Sequence, residues 1–308
     1  MMQRFTNMGT KRVAWRPQRR RLVVVSAALV TGALSVPLGV PSSSAATHSG
    51  SLSVLYAGSL LDLMQQKLAP AFHRATGYTV VGVTNGSNAL ATEIKGGTQV
   101  GDVFISASPT VNATLEGSAN GSWVSSYLEF GKSNLLLGIN PNSSFARALR
   151  TRPWYDVVDR AGFLLGRTDP ATDPKGVLAV DALTGVGASY DLPALAALAT
   201  SSTNVFAETS LIGELQAGQL DAGFFYAVEA SAAHLPTVAL TNTGLAAHYT
   251  VAVLKNAPHL AAARAFLHFL LSATGQKILR SNGLTPFTPA RLFAYSASTP
   301  TTTSTSLG

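Results

Sequence analysis

The sequence predicts an α/β protein. Three strand–turn–helix units follow one another within about 65 residues of Ser51, and a second alternating series begins near Lys132. Units of this kind favour parallel strands with helices against the sheet, because a parallel crossover needs a helix-sized connection. The 308 residues suit one large or two modest domains.

The first unit opens with a short apolar strand, Ser51–Tyr56, that stops at Ala57-Gly58-Ser59. Leu60, Leu61, Met64, Leu68 and Phe72 then recur at helical spacing, with Pro70 near the end of the segment. Tyr78–Val83 is the second strand, ending at Thr84-Asn85-Gly86-Ser87, and a helix through Ala89, Leu90 and Ile94 is closed by Gly96-Gly97. Asp102–Ser106 is the third strand, with Ser108 as N-cap and Pro109 as first helical residue. In the second series, strands are predicted at Asn134–Ile139, Gly162–Leu165, Ala222–Tyr226, Thr237–Leu240 and Tyr249–Leu254. Helices are predicted around Asp181–Thr184 and Leu192–Ala199, and over Glu208–Ala217, His259–Leu271 and Gly275–Arg280. Two α/β blocks predict two lobes, with ligands favoured in the crevice at the carboxyl ends of the strands.

The 22 Lys+Arg outnumber the 15 Asp+Glu, but seven of the basic residues and none of the acidic ones fall within residues 1–46. The remainder is therefore neutral overall, and no nucleic-acid partner is expected. Residues 1–46 read as a signal peptide: a basic stretch ending at Arg19-Arg20-Arg21, an apolar run over Leu22–Leu34, and small residues at Ser42-Ser43-Ser44-Ala45-Ala46. Cleavage after Ala45 or Ala46 releases an exported protein; retention of the leader as an anchor and export by a twin-arginine route stay open. The chain has no cysteine, which excludes disulfides, thiolate-held metals, a cysteine nucleophile and a lipoprotein anchor. Ser296–Gly308 is Ser/Thr-rich and reads as a disordered tail or surface spacer.

Two turns draw attention. Each of the first two strands delivers a glycine and then a serine to a helix start, Gly58-Ser59 and Gly86-Ser87. A helix start exposes unpaired N–H groups and the positive end of the dipole, and a hydroxyl adds a donor, so such a turn suits a small anion. Either turn alone is equally an ordinary serine N-cap. Two on successive strands of one sheet favour a shared anion site. Further on, Thr168–Gly176 contains two Asp-Pro pairs and reads by itself as a solvated turn. Glu208 reads as a first-turn helix acid, and Tyr226 as a core residue with a satisfied hydroxyl.

Taken in order, these segments resemble the extracellular molybdate/tungstate-binding proteins of ABC importers, most nearly the tungstate-type branch. The likeness runs through Leu55-Tyr56-Ala57-Gly58-Ser59-Leu60, Asn85–Ala91, Gly101–Ser108, Asp169–Gly176, Glu208 and Gly218–Tyr226, and covers about Ser51–Pro289. The resemblance implies a two-lobed periplasmic-binding-protein-like fold of type II. Each lobe would be a mostly parallel sheet flanked by helices: 50–131 plus 241–292 as lobe 1, 132–240 as lobe 2, and 293–308 as the tail. It implies that one tetrahedral oxyanion is held by Gly58, Ser59, Ser87, Asp173, Pro174, Lys175, Glu208 and Tyr226. Asp173 and Glu208 would approach the molybdenum or tungsten atom itself. A carboxylate beside a dianion is repulsive and costly once desolvated, so the acids must bond to the metal centre or be protonated. The metal can expand its coordination and the sulfur of sulfate cannot, which makes the two acids a barrier to sulfate. Lys175 stands where the pattern usually has a smaller residue, and Ala227-Val228-Glu229-Ala230 departs from the usual polar run. Lys175 is left with two roles, neutralising the dianion or facing solvent.

No resident cofactor is implied, and the expected partners are the oxyanion and a membrane permease, with the protein acting as a monomer. A binding protein for phosphate or sulfate is the nearest alternative. A secreted hydrolase is a weaker one: the chain has no Gly-x-Ser-x-Gly, Walker, Gly-x-Gly-x-x-Gly or His-Glu-x-x-His motif. Its six histidines form no evident metal-ligand pair.

Overall fold

In the computed structural model residues 50–295 are described; the leader and Ser296–Gly308 lie outside the described residues. β1 (Gly50–Ala57) passes through a 3-10 turn at Gly58–Leu60 into α1 (Leu61–Leu63), a π-helical stretch at Met64–Leu68, and α2 (Ala69–Thr76). The wide π turn lies just ahead of Pro70, which lacks an N–H and whose ring crowds the carbonyl four residues back. Leu60, Met64, Leu68 and Phe72 are buried, as their helical spacing predicts. Gly77 closes α2 at φ 83°, in the left-handed conformation that costs glycine little. β2 (Tyr78–Asn85), α3 (Ser87–Lys95), β3 (Val103–Ser106) and α4 (Pro109–Ala113) complete the three predicted units. β1 pairs in parallel with both β2 and β3.

The second series differs from expectation in several places. β4 (Ser126–Ile139) starts at Ser126, not at Asn134, because its first half is built by long-range pairing that a local pattern does not reveal. After α5 (Ala146–Thr151) and α6 (Trp154–Val158), β5 (Leu165–Thr168) begins where the predicted strand ends. Gly162, at φ 80°, belongs to the preceding turn. α7 (Pro174–Tyr190), α8 (Pro193–Thr200), β6 (Val205–Phe206) and α9 (Leu211–Gln216) follow. Glu208 sits in the turn before α9, so it is not the first-turn helix acid of the local reading. Then come β7 (Ala222–Tyr226), α10 (Ala227–Ala232), β8 (Thr237–Ala239), β9 (Ala246–Val253), α11 (Leu260–Leu271) and α12 (Ala273–Arg280). The last strand, β10 (Thr285–Ala294), takes in the first residues assigned to the tail: Phe293 and Ala294 pair with Tyr127 and Ser126. Pro289 falls in the stretch between Pro286 and Arg291 where the ladder shifts register, a place in a strand that tolerates proline.

The strands run in the order β2-β1-β3-β9-β4-β7-β5-β6, with β8 and β10 also paired to β4. The flanks, β2-β1-β3 and β7-β5-β6, are parallel. Around the long β4 every pairing is antiparallel. Residues of β4 up to Asn134 pair with β9 and β10, and those from Leu135 onward pair with β7 and β8. Buried residues from both parts, among them Tyr56, Ile105, Phe130, Leu137, Phe224 and Tyr249, belong to one large apolar cluster. Because Ala57 lies opposite Asn85 in the β1–β2 ladder, the two Gly-Ser turns leave the sheet side by side.

Candidate functional site

The side chains of interest come from the carboxyl ends of β1, β2, β5 and β7, joined by the turn before α9. Neither serine caps its helix, contrary to the local N-cap reading. Ser59 lies inside the 3-10 turn, and its Oγ shares a 2.8 Å hydrogen bond with Tyr249 Oη. Ser87 is the first residue of α3, and its Oγ accepts the N–H of Ala107 at 3.1 Å. The hydroxyl proton of Ser87 is thus left for another acceptor. Both serines are buried.

Each glycine before a serine touches the other part of the protein. A Cβ at position 58 would lie 1.5 Å from Glu208 Oε2, and one at position 86 would lie 2.3 Å from the carbonyl oxygen of Thr172. The loop before α7 is fastened to the start of α3 as well. The Ala89 N–H donates to Thr172 O at 3.1 Å, and Asn88 Nδ2 donates to Pro170 O at 3.2 Å. Glycine is required at both turns because backbone or a fixed carboxylate occupies the place of a side chain.

Asp173 is the N-cap of α7, with Oδ1 accepting the Lys175 N–H at 3.3 Å, and Pro174 stands at the first helical position. Lys175 is fully buried. Its Nζ donates to Glu208 Oε1 at 3.2 Å and to Glu229 Oε1 at 2.6 Å, close to the rings of Phe225 and Tyr226. The solvent-facing role for Lys175 is therefore excluded: a buried ammonium needs paired charges, and two acids supply them. Glu229 in turn accepts the Tyr226 N–H through Oε2 at 2.8 Å. The Tyr226 ring meets that of Tyr249 edge-on at 6.1 Å.

Three buried polar atoms of this group have no hydrogen bond: Asp173 Oδ2, Glu208 Oε2 and Tyr226 Oη. The satisfied-hydroxyl reading of Tyr226 is thus overturned. Such atoms cost roughly 1–3 kcal/mol each when left bare, and folded proteins seldom leave them so without a reason. A cavity of about 50 Å³ next to Glu208 is lined by Gly58, Ser59, Thr209 and Glu229, among others. A second cavity of about 290 Å³ runs past Asn88, Ala107, Ser108, Pro174 and His248.

The electrostatics follow from burial. The Glu208 carboxyl is pushed up to about 8 by loss of water, against the pull of Lys175 and with Glu229 and Asp173 adding to the rise. Burial likewise raises Asp173 and Glu229, opposed in both by Lys175. Burial raises Tyr226 and Tyr249, with neighbouring acids contributing. For Lys175 burial favours the neutral amine, but Glu229, Glu208 and Asp173 outweigh it and raise the group. A site of this kind offers hydroxyl, phenol and carboxyl groups on two facing walls, suited to a small ligand rich in oxygen.

Six of the predicted residues, Gly58, Ser59, Asp173, Lys175, Glu208 and Tyr226, thus come together in one linked set; Ser87 stands at the neighbouring turn bonded to Ala107, and Pro174 serves by starting α7. Tyr249 and Glu229 belong to the set and were not among the predicted contacts. A tyrosine inside a strand and an acid in the first turn of a helix carry no local signal; their partners lie 190 and 54 residues away in sequence.

Comparison with known proteins agrees with this architecture. A family model described as bacterial extracellular solute-binding protein matches residues 52–285. An uncharacterized solute-binding protein of Halobacterium salinarum is 30% identical over 263 residues, covering 76% of this chain and 84% of the relative. A molybdate/tungstate-binding protein of Pyrococcus abyssi is 26% identical over 219 residues, covering 54% of this chain and 64% of the relative. Among solved structures, the periplasmic molybdate-binding protein of Azotobacter vinelandii superposes with a TM-score of 0.61 at 20% identity, over 76% of this chain and 98% of that one. That likeness shows the fold, the two-lobed α/β architecture of type II periplasmic binding proteins. The chain belongs to the bacterial extracellular solute-binding proteins, the ligand-capturing components of ABC importers.

Proposed function

We propose that this chain captures tungstate or molybdate, as a tetrahedral dianion, between its two lobes and presents it to a membrane permease. The lobes are residues 50–131 plus 241–292 and residues 132–240, a division supported by the change of β4 partners after Asn134. The observation that carries the reading is a set of three bare buried atoms, Asp173 Oδ2, Glu208 Oε2 and Tyr226 Oη: Glu208 lies against Gly58, Asp173 against Gly86, and both acids are near enough to Tyr226 to act on its phenol. The name of the Pyrococcus relative supports the same ligand class.

In this reading Ser59 and Ser87 hold the oxygens of the anion with hydroxyl and backbone N–H donors, and Tyr226 donates its phenol. Asp173 and Glu208 approach the metal centre, or lend protons to the ligand when neutral. Closure of the lobes is the signal that the permease reads, and the ligand shifts the open–closed equilibrium by its preference for the closed form. The protein works as an exported monomer and turns over no substrate. The test is isothermal calorimetry of residues 47–308 against tungstate, molybdate, sulfate and phosphate. Tight binding of the first two, at least a hundredfold above the others, is expected; preference for sulfate or phosphate sinks the assignment.

A further inference from the structure

We propose that Glu229 is a positioning residue for the binding cleft, acting through Lys175 to hold Glu208 with one carboxylate oxygen turned to the ligand. The inference rests on the reading of Glu208 as a ligand contact. Its basis is the unequal state of the two acids that share the Lys175 ammonium. Glu229 has both oxygens engaged, Oε1 with Lys175 Nζ at 2.6 Å and Oε2 with the Tyr226 N–H at 2.8 Å. Glu208 has only Oε1 engaged, with Lys175 Nζ at 3.2 Å, while Oε2 is bare and faces Gly58. The shorter contact is with the fully engaged acid, so Glu229 is the anchor and Glu208 the working group.

Glu229 therefore reaches the carriers of two of the three bare atoms, Tyr226 directly and Glu208 by way of Lys175. It fixes the backbone of Tyr226 through the N–H and fixes Glu208 through the ammonium. The ammonium has a second consequence. Three acids, Asp173, Glu208 and Glu229, surround a place proposed for a dianion, and Lys175 is the cation buried among them. Removing it would leave adjacent carboxylates with no positive partner in a dry site. Lys175 and Glu229 also sit at the two places where the sequence departs from the tungstate-type pattern, and the fold brings these departures into contact.

The test is a double-mutant cycle read as ligand affinity. Dissociation constants for tungstate and sulfate are measured by calorimetry for wild type, Glu229→Gln, Glu208→Gln and the double variant, with urea unfolding to confirm that each folds. The expected result is a loss of about tenfold in tungstate affinity for Glu229→Gln in the wild-type background. The tungstate-to-sulfate ratio should fall as well. In the Glu208→Gln background the same substitution should change affinity by less than about twofold, since its effect passes through Glu208. Equal losses in both backgrounds, or no loss in the first, overturn the proposal, because a merely structural acid would act independently of Glu208. If Glu229→Gln does not fold, the cycle is run with Lys175→Met/Glu229→Gln, which replaces the ion pair by neutral groups of similar size, and the same outcomes decide. Wild-type protein that prefers sulfate or phosphate overturns the tungstate assignment alone, and the cycle is then decided with that anion. Wild-type protein that binds none of the four anions overturns both.

Discussion

The backbone of Gly58 lies directly against the carboxylate of Glu208, with room for a hydrogen and none for a methyl: a Cβ there would sit 1.5 Å from Oε2. The two residues come from opposite sides of the proposed cleft and are 150 positions apart in sequence, so their contact exists only when the sides are together. Gly58→Ala is accordingly expected to oppose closure while sparing the open form. Overpacking of this kind costs about 1–3 kcal/mol, or roughly five- to 150-fold in affinity. Calorimetry with tungstate should show that loss with little change in the unfolding midpoint of the ligand-free protein; unaltered affinity would disprove that Gly58 meets Glu208 in the bound form.

The serines are expected to contribute through hydroxyl donation. Ser87 Oγ already accepts from Ala107, and Ser59 Oγ is paired with Tyr249, so each is oriented before a ligand arrives. Ser59→Ala and Ser87→Ala should each weaken oxyanion binding by about 1.5–3 kcal/mol, the value of a hydrogen bond to a charged group. Equilibrium dialysis of the double variant checks it, and wild-type affinity there would remove both turns from the site.

Selectivity is expected to reside in the acids. Asp173→Asn keeps an N-cap side chain for α7 and so separates capping from charge. Either Asp173→Asn or Glu208→Gln should lower the tungstate-to-sulfate affinity ratio by about tenfold or more. Competition between the two anions measures it; a constant ratio would show that neither acid senses the central atom.

Stability of the ligand-free protein should depend on pH through Glu208. Its folded pKa, about 8, is above the ordinary value of 4.5, chiefly because of burial. A carboxyl raised in this way binds its proton more tightly when folded, so its contribution is fully present below about pH 4.5 and is lost as pH rises through 8. Between those limits wild type should lose on the order of a few kcal/mol relative to Glu208→Gln, which lacks the titration. Urea unfolding of both proteins across the window tests the sign; a gap that widens in favour of wild type as pH rises contradicts the burial argument.

Much of the site was legible in order along the chain. The strand–Gly-Ser–helix pattern marked Ser59 and Ser87, and family resemblance drew attention to Asp173, Lys175, Glu208 and Tyr226. What local pattern misjudged were groups whose role depends on a distant partner. Lys175 read as a choice between ligand and solvent, yet it lies between Glu208 and Glu229. Tyr226 read as a satisfied core phenol and has a bare hydroxyl. The first half of β4 and the whole of β10 were invisible, since their hydrogen bonds go to one another and to β9 across long stretches of sequence.

The amino-acid order by itself determined the α/β class, the flanking parallel units and the two glycines at the turns, because these follow from periodicity, strand–helix alternation and backbone freedom within a few residues. Only the tertiary structure decided which acid holds the buried lysine, which carboxylate oxygen stays bare and which strand joins the two halves. The lysine's partners are set by Coulomb and hydrogen-bond interactions between groups 33 and 54 residues apart, and such interactions take their value from burial and distance rather than from neighbours in the chain.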